Sequence, residues 1–292
     1  MFAITGITGQ VGGATARALL ARGHRIRAVV RERAKAAAWM ARGAEVAVAD
    51  LADAAALQTA FTGVDGVFVM IPPYWDPLPG YPEARADAIA LRQALAAAAP
   101  PKVVCLSSVG AQHAAGVGLI TQLFILEREM RRLPIPIAML RAAWFMENAI
   151  PDIASARSDG VFASYLSPLD QAIPMVATAD VGTVAGDVLT QHWNGLRAIE
   201  VEGPRSYAPN DVAMVMSHLL HRPIRAEEIP HRAWAAHFRS QGQLNPTPRI
   251  RMLEGFNSGW IAFQERPSER VAGATRLEAV LQPAVQRSAD AA

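Results

Sequence analysis

The chain has 292 residues, 51% hydrophobic and 18% charged, which is enough apolar mass for one large or two unequal domains and argues against disorder. Its 28 basic and 26 acidic residues leave a formal charge of +2, and with no run of Lys or Arg this disfavours a nucleic-acid or membrane-surface role. The single cysteine, Cys105, excludes an internal disulfide and a cysteine-based metal cluster, and no apolar run reaches the roughly 20 residues that span a bilayer.

Residues 2–5 read as a short buried strand, which leaves no room for a signal peptide and makes a cytoplasmic protein the expectation. A helix follows from Val11. Between the two lie Gly6, Gly9 and Gly12 at a spacing of three. A strand feeding a helix through a glycine turn gathers free backbone N–H groups and the positive helix end at one point, which is a phosphate site. Thr8, Gln10 and Val11 complete that turn. The spacing differs from the general GxGxxG pattern, and an ordinary βα turn is the competing reading.

A second strand at residues 25–30 ends on Arg31, with Arg33 and Lys35 close behind. In a βαβ dinucleotide unit this position reaches the adenosine ribose: an acidic residue favours NAD, and an arginine accommodates the 2′-phosphate of NADP. NADP(H) is therefore expected over NAD(H). A short helix at 34–41 leads to a third strand at 45–49 and then Asp50-Leu51. The fourth strand, 66–71, ends at Ile71 and Pro72. It opens a loop rich in proline and aromatics, 74–81, at the carboxyl edge of the sheet, where Tyr74 and Trp75 either stack on a flat substrate or pack the loop down.

A long helix near 82–99 precedes a fifth strand, 102–106, with Ser107-Ser108 at its end. A Gly-rich loop holding His113, a helix from about 119 to 132 and a sixth strand, 135–140, continue the alternation. Such regularity predicts an α/β fold, a doubly wound parallel sheet with helices on both faces. Residues 142–174 are irregular. A helix at 180–192 and a strand at 197–201 return to the sheet. Beyond Gly203 come helices near 209–220, 232–240 and 247–263, a short strand near 223–228 and a polar tail. The expected division is a cofactor-binding Rossmann domain over 1–150, joined by about 178–202. A smaller C-terminal α+β substrate-binding or lid part is expected from 151–177 and 203–292. Aromatic candidates for the substrate wall are Tyr74, Trp75, Trp144, Phe145, Phe256 and Trp260, each with core packing as its competing reading. His218, His221, His231 and His237 lack a metal-ligand pattern, so no metal is expected.

TGITGQVGG at 5–13, VVR at 29–31, the pattern AD-L at 49–51 and LSSVGA at 106–111 together resemble the NmrA-like family of atypical short-chain dehydrogenase/reductases. So do Glu127-Arg128-Glu129-Met130, Leu140-Arg141 and Phe145-Met146-Glu147-Asn148. The resemblance covers essentially the whole chain, and its relatives include triphenylmethane reductase-like and quinone reductase-like enzymes as well as redox sensors. It implies a Rossmann domain binding NADP(H), with Gly6, Gly9 and Gly12 at the phosphates and Arg31 at the 2′-phosphate. It also places Asp50 and Leu51 at the adenine, and Ile71, Pro72 and Ser107 along the inner cleft.

One departure from the family pattern matters for chemistry. Catalytically standard relatives carry a Tyr and, four residues on, a Lys on the helix after the serine-bearing strand. Counted back in fours from Glu127, those positions hold Leu123 and Leu119. Neither can carry a proton. Two readings follow: hydride transfer from NADPH to a small, flat, conjugated acceptor such as a quinone or dye that needs no adjacent acid, or a non-catalytic sensor acting through a protein partner. His113 is the proton donor to test, against its reading as a solvated loop histidine.

Overall fold

The computed structural model describes residues 1–264 and 269–290. Six parallel strands come first: β1 (Phe2–Ile4), β2 (Ile26–Val30), β3 (Glu45–Val48), β4 (Gly66–Val69), β5 (Val103–Ser108) and β6 (Ile137–Ala142). Between them run α1 (Gln10–Ala21), α2 (Ala37–Met40), α3 (Ala54–Phe61), α4 (Pro82–Ala98) and α5 (Thr121–Met130). Beyond β6 lie β7 (Trp144–Phe145), α6 (Ile153–Asp159), β8 (Val161–Ser164), β9 (Ile173–Val176), α7 (Thr178–Thr190) and β10 (Leu196–Glu202). The chain continues through β11 (Ser206–Tyr207), α8 (Pro209–Leu220), β12 (Arg225–Glu228), α9 (His231–Ser240), α10 (Thr247–Asn257), β13 (Glu269–Ala272) and α11 (Leu277–Asp290).

The central sheet has eight strands in the order β3-β2-β1-β4-β5-β6-β10-β13, and every neighbouring pair is parallel. The inner strands read as near-continuous apolar runs because both faces are covered. Side chains leave a strand alternately to the two faces. Phe2, Ile4, Phe68, Val104, Leu106, Ala138 and Leu140 therefore pack with Val11 and Leu19 of α1 and Val181, Val184 and Val188 of α7. Ala3, Val67, Val69, Val103, Cys105, Ile137 and Met139 pack on the opposite side with α3, α4 and α5. This is the doubly wound α/β fold that the alternating pattern predicts. The smaller strands form β7-β9-β11 and β8-β12, around a separate apolar cluster shared with α6, α8 and α11.

Several elements differ from the expectation. Helix α3 fills the interval between Leu51 and Gly66, where none was expected; Asp53 caps it, its carboxylate accepting from the amides of Ala55 and Ala56 at 3.1 and 3.0 Å. The irregular stretch 142–174 holds β7, a 3-10 turn, α6, β8 and the first half of β9. The helix expected at 247–263 stops at Asn257, two residues before Gly259 adopts φ of +75°. The polar tail carries two elements that were not expected: β13 extends the central sheet beyond β10, and α11 packs Leu277 and Leu281 into the C-terminal cluster.

Candidate cofactor and substrate site

The strand order reverses between β1 and β4, and in doubly wound sheets ligands sit over the carboxyl ends at that point. Thr5 ties the two strands together there. Its amide donates to the Phe68 carbonyl at 3.0 Å, and its hydroxyl accepts from the Met70 amide at 3.1 Å. Gly6 then turns the chain with φ of +60°. Gly12 lies so close beneath this turn that a Cβ on it would stand 2.3 Å from the Gly6 carbonyl oxygen.

Helix α1 starts with Gly9 as its N-cap, and no side chain caps it. Among the described residues nothing accepts from the amides of Gln10, Val11 and Gly12. Three open donors at the positive end of a helix, with no acidic side chain in its first turn, fit a pyrophosphate. Thr8, Gly9 and Gln10 are exposed around them. The helix is held at backbone distance by α7, where a Cβ on Gly182 would lie 2.3 Å from Ala14 Cβ. Glu147 fastens the same corner, accepting from the amide and hydroxyl of Thr178 at 2.9 and 2.6 Å. The Thr178 hydroxyl is also 3.2 Å from Gln10 Oε1.

Arg31 and Arg33 stand exposed just past β2, with no ion pair among the described residues. Lys35, counted with them from sequence, is taken by Glu32 at 2.6 Å. Asp50 and Leu51 follow β3; Asp50 folds back to accept from the Ala52 amide at 2.9 Å, and Leu51 is half-buried. Ile71 is buried and Pro72 exposed in the loop after β4.

Ser107 is buried at the end of β5 and gives its proton to Glu127 Oε1 at 2.7 Å. Arg141 of β6 clasps the same carboxylate with Nε at 2.8 Å and Nη2 at 2.7 Å. Arg141 Nη1 goes on to Gln264, whose amide donates to the fully buried Glu200. A hydroxyl committed in this way has no second proton for a substrate oxygen. Leu119 is buried in the 3-10 turn at Gly118–Ile120, ahead of α5 and not on it as expected, and Leu123 is half-buried on α5 among apolar neighbours, so neither position carries a proton. In sequence Glu127 and Arg141 stand only as part of the family resemblance; their joint burial with Ser107 is a three-dimensional fact.

The aromatic candidates divide. The Tyr74 hydroxyl donates to Asp87 of α4 at 2.7 Å, so this ring packs its loop down. Trp75 is 51% exposed. Trp144 and Phe256 meet edge to face at 5.0 Å, with Phe256 buried and Trp144 half-buried. Phe145 packs on the α1/α7 side of the sheet. Trp260 stacks on His113 at 4.2 Å, so these two candidates form one contact. Burial and the nearby Arg141 hold the His113 imidazole below its ordinary pKa, which makes it a poor proton donor at neutral pH. His231 reaches Glu254 at 2.8 Å. Among the described residues no group of three or more potential ligands could hold a metal.

Asp152, at the end of the 3-10 turn before α6, is a titrating group that sequence reading missed. Burial pushes its carboxyl up to about 6. Its folded value exceeds its unfolded one, so the folded state binds more protons between the two and loses stability as pH rises to about 6. Asp152→Asn should therefore stabilise the protein by about 1–2 kcal/mol at pH 7.5, allowing for partial exposure. The gain should shrink below pH 5. Thermal melts of both proteins at pH 4.5 and 7.5 check this, and an equal difference at both values would refute it.

Residues 1–250 match the NmrA-like family. The chain is 28% identical over 225 residues to an NAD(P)H azoreductase of Xenophilus azovorans, spanning 77% of this chain and 76% of that one. It is 26% identical over 246 residues to quinone oxidoreductase 2 of Escherichia coli strain K12, spanning 83% and 82%. The structure of an Escherichia coli NADPH-dependent quinone oxidoreductase complexed with NADPH has the same fold, with a TM-score of 0.80 at 22% identity over 97% of this chain and 99% of that one. Since the match runs unbroken from the glycine turn into the first turn of α10, this chain belongs to the NmrA-like family.

Proposed function

We propose that the protein is an NADPH-dependent oxidoreductase that reduces a flat, conjugated small molecule, such as a quinone or a dye, without a Tyr–Lys pair. The observation that carries this reading is the glycine turn with three open amides; the leucines at 119 and 123, where a Tyr–Lys pair would stand, favour an acceptor that needs no adjacent acid. The activities named for the azoreductase and quinone oxidoreductase relatives support it. Bound NADPH would supply the hydride. Gly6, Gly9, Gly12 and the amides of Gln10, Val11 and Gly12 hold the phosphates; Arg31 takes the 2′-phosphate. Residues 151–177 and 203–264 close over the substrate side, with Trp75, Trp144 and Trp260 as its wall. An acceptor that delocalises the incoming charge takes its proton from water, and orientation supplies the rate.

The test is NADPH consumption by the purified protein against quinones, azo dyes and triphenylmethane dyes, with cofactor binding measured on the same sample. Turnover with any of them supports the enzyme. Tight NADPH binding with a silent panel removes it and favours a sensor acting through a protein partner.

The cofactor preference has its own check. Arg31→Ala should weaken NADPH binding roughly 10- to 100-fold, the scale of one charge-assisted hydrogen-bond partner, while leaving NADH within about threefold. Calorimetric titration of both cofactors reads this, and equal losses for the two would remove Arg31 from the 2′-phosphate.

A further inference from the structure

Arg249 stands in the first turn of α10 with an unusual set of neighbours. Its guanidinium carbon lies 4.3 Å from the centre of the Phe238 ring, 5.7 Å from Trp75 and 5.9 Å from Tyr165. It is half-buried, and among the described residues it has neither an ion pair within 4.0 Å nor a hydrogen bond. Burial holds it below its ordinary pKa, opposed only by the Tyr165 phenol. The Tyr165 hydroxyl is itself buried and has no hydrogen-bond partner among the described residues. Asp152 is near enough to act on Tyr165, yet it is not within ion-pair distance of Arg249.

A half-desolvated cation without a counter-ion is costly, and the positive end of a helix adds to the cost. The aromatic faces offset part of it through cation–π attraction but use none of the five guanidinium N–H donors. The location is not incidental. Trp75 belongs to the loop leaving β4 at the carboxyl edge of the sheet, and its neighbour Asp76 accepts from the amides of Leu244 and Asn245, at 2.9 and 2.6 Å, just before α10. The cation therefore sits where the β4 loop meets the C-terminal part, at the rim of the proposed substrate cleft.

We propose that Arg249 and the Tyr165 hydroxyl bind an oxyanion group (carboxylate, sulfonate or phosphate) carried by the flat aromatic substrate. This inference rests on reading the cleft as a substrate site. It selects anionic conjugated acceptors over neutral and cationic ones, because a planar fork suits a planar or tetrahedral oxyanion and repels a cation.

Naphthalene-2-sulfonate is a flat, non-reducible probe. Calorimetry on the NADPH-loaded protein should show it binding, with 2-methylnaphthalene and inorganic sulfate each at least about tenfold weaker. Arg249→Gln should weaken the sulfonate roughly 10- to 100-fold, and Tyr165→Phe, which removes a hydroxyl with no structural partner, several-fold. Equal binding of sulfonate and hydrocarbon, no loss in the two variants, or inorganic sulfate binding as well as the aromatic sulfonate would overturn the proposal. In turnover, the KM ratio of a neutral to a sulfonated naphthoquinone should fall by a similar factor in Arg249→Gln. A silent turnover panel with Arg249-dependent sulfonate binding would sink the oxidoreductase reading and keep the oxyanion site. Equal KM values for both quinones in the wild type would do the reverse.

Discussion

Replacing Glu127 with alanine is expected to cost about 3–5 kcal/mol of folding stability, a large share of what a domain commonly has. Glu127 is 2% exposed and Arg141 is 2% exposed, so the surviving guanidinium would be a buried charge without its carboxylate. It would keep only the contact to Gln264. Ser107 would lose its acceptor at the same time. The cost arises from breaking the pair, not from its net worth, because desolvating two charges consumes most of their attraction. The double variant Glu127→Met/Arg141→Met should accordingly recover most of the loss. Urea unfolding of the wild type, both single variants and the double closes the cycle. Additive single and double losses would show that the two side chains do not act as a unit.

The same cluster bears on the chemistry. From the family resemblance, Ser107 at the end of its strand is expected along the inner cleft of the cofactor site. In the structure its proton goes to Glu127, and the leucines at 119 and 123 offer no proton in its place. What was legible in the chain was local. The glycine turn and the inner strands are each carried by contiguous residues whose chemistry needs no partner from afar. Helix α3 goes unread: the cap at Asp53 and the spacing of Leu57, Ala60 and Phe61 mark it, but alanine-rich surroundings blur that period. β13 could not be read. Its side chains are mostly exposed, and pairing with β10, with Ile199 opposite Glu269, makes it a strand. The setting of Arg249 is assembled from rings at 75, 165 and 238, and no spacing in one chain announces such a meeting.

Gly12→Ala should abolish measurable NADPH binding, a loss of at least about 100-fold, and destabilise the protein despite putting a better helix former into α1. Alanine inside a helix normally gains up to about 1 kcal/mol over glycine. Here the added methyl would stand 2.3 Å from the Gly6 carbonyl oxygen, 2.6 Å from its carbon and 2.9 Å from the Thr5 oxygen. All three are backbone atoms, so relief requires moving the turn or the helix. The helix cannot slide away freely, because Gly182 of α7 already sits against Ala14 at the distance of a single missing Cβ. The turn cannot open freely either, because Thr5 is bonded to Phe68 and Met70 across β4. Either movement pulls the amides of Gln10, Val11 and Gly12 out of line with a pyrophosphate, and charge-assisted hydrogen bonds weaken steeply with misalignment. Gly9→Ala is the matched control: its Cβ would meet only the Gly6 oxygen, at 3.2 Å, a shift of a few tenths of an ångström. Calorimetric titration with NADPH and thermal melts on both variants separate the two outcomes. Should Gly12→Ala bind NADPH as tightly as Gly9→Ala does, the close approach of α1 to the turn would not be what builds the phosphate site.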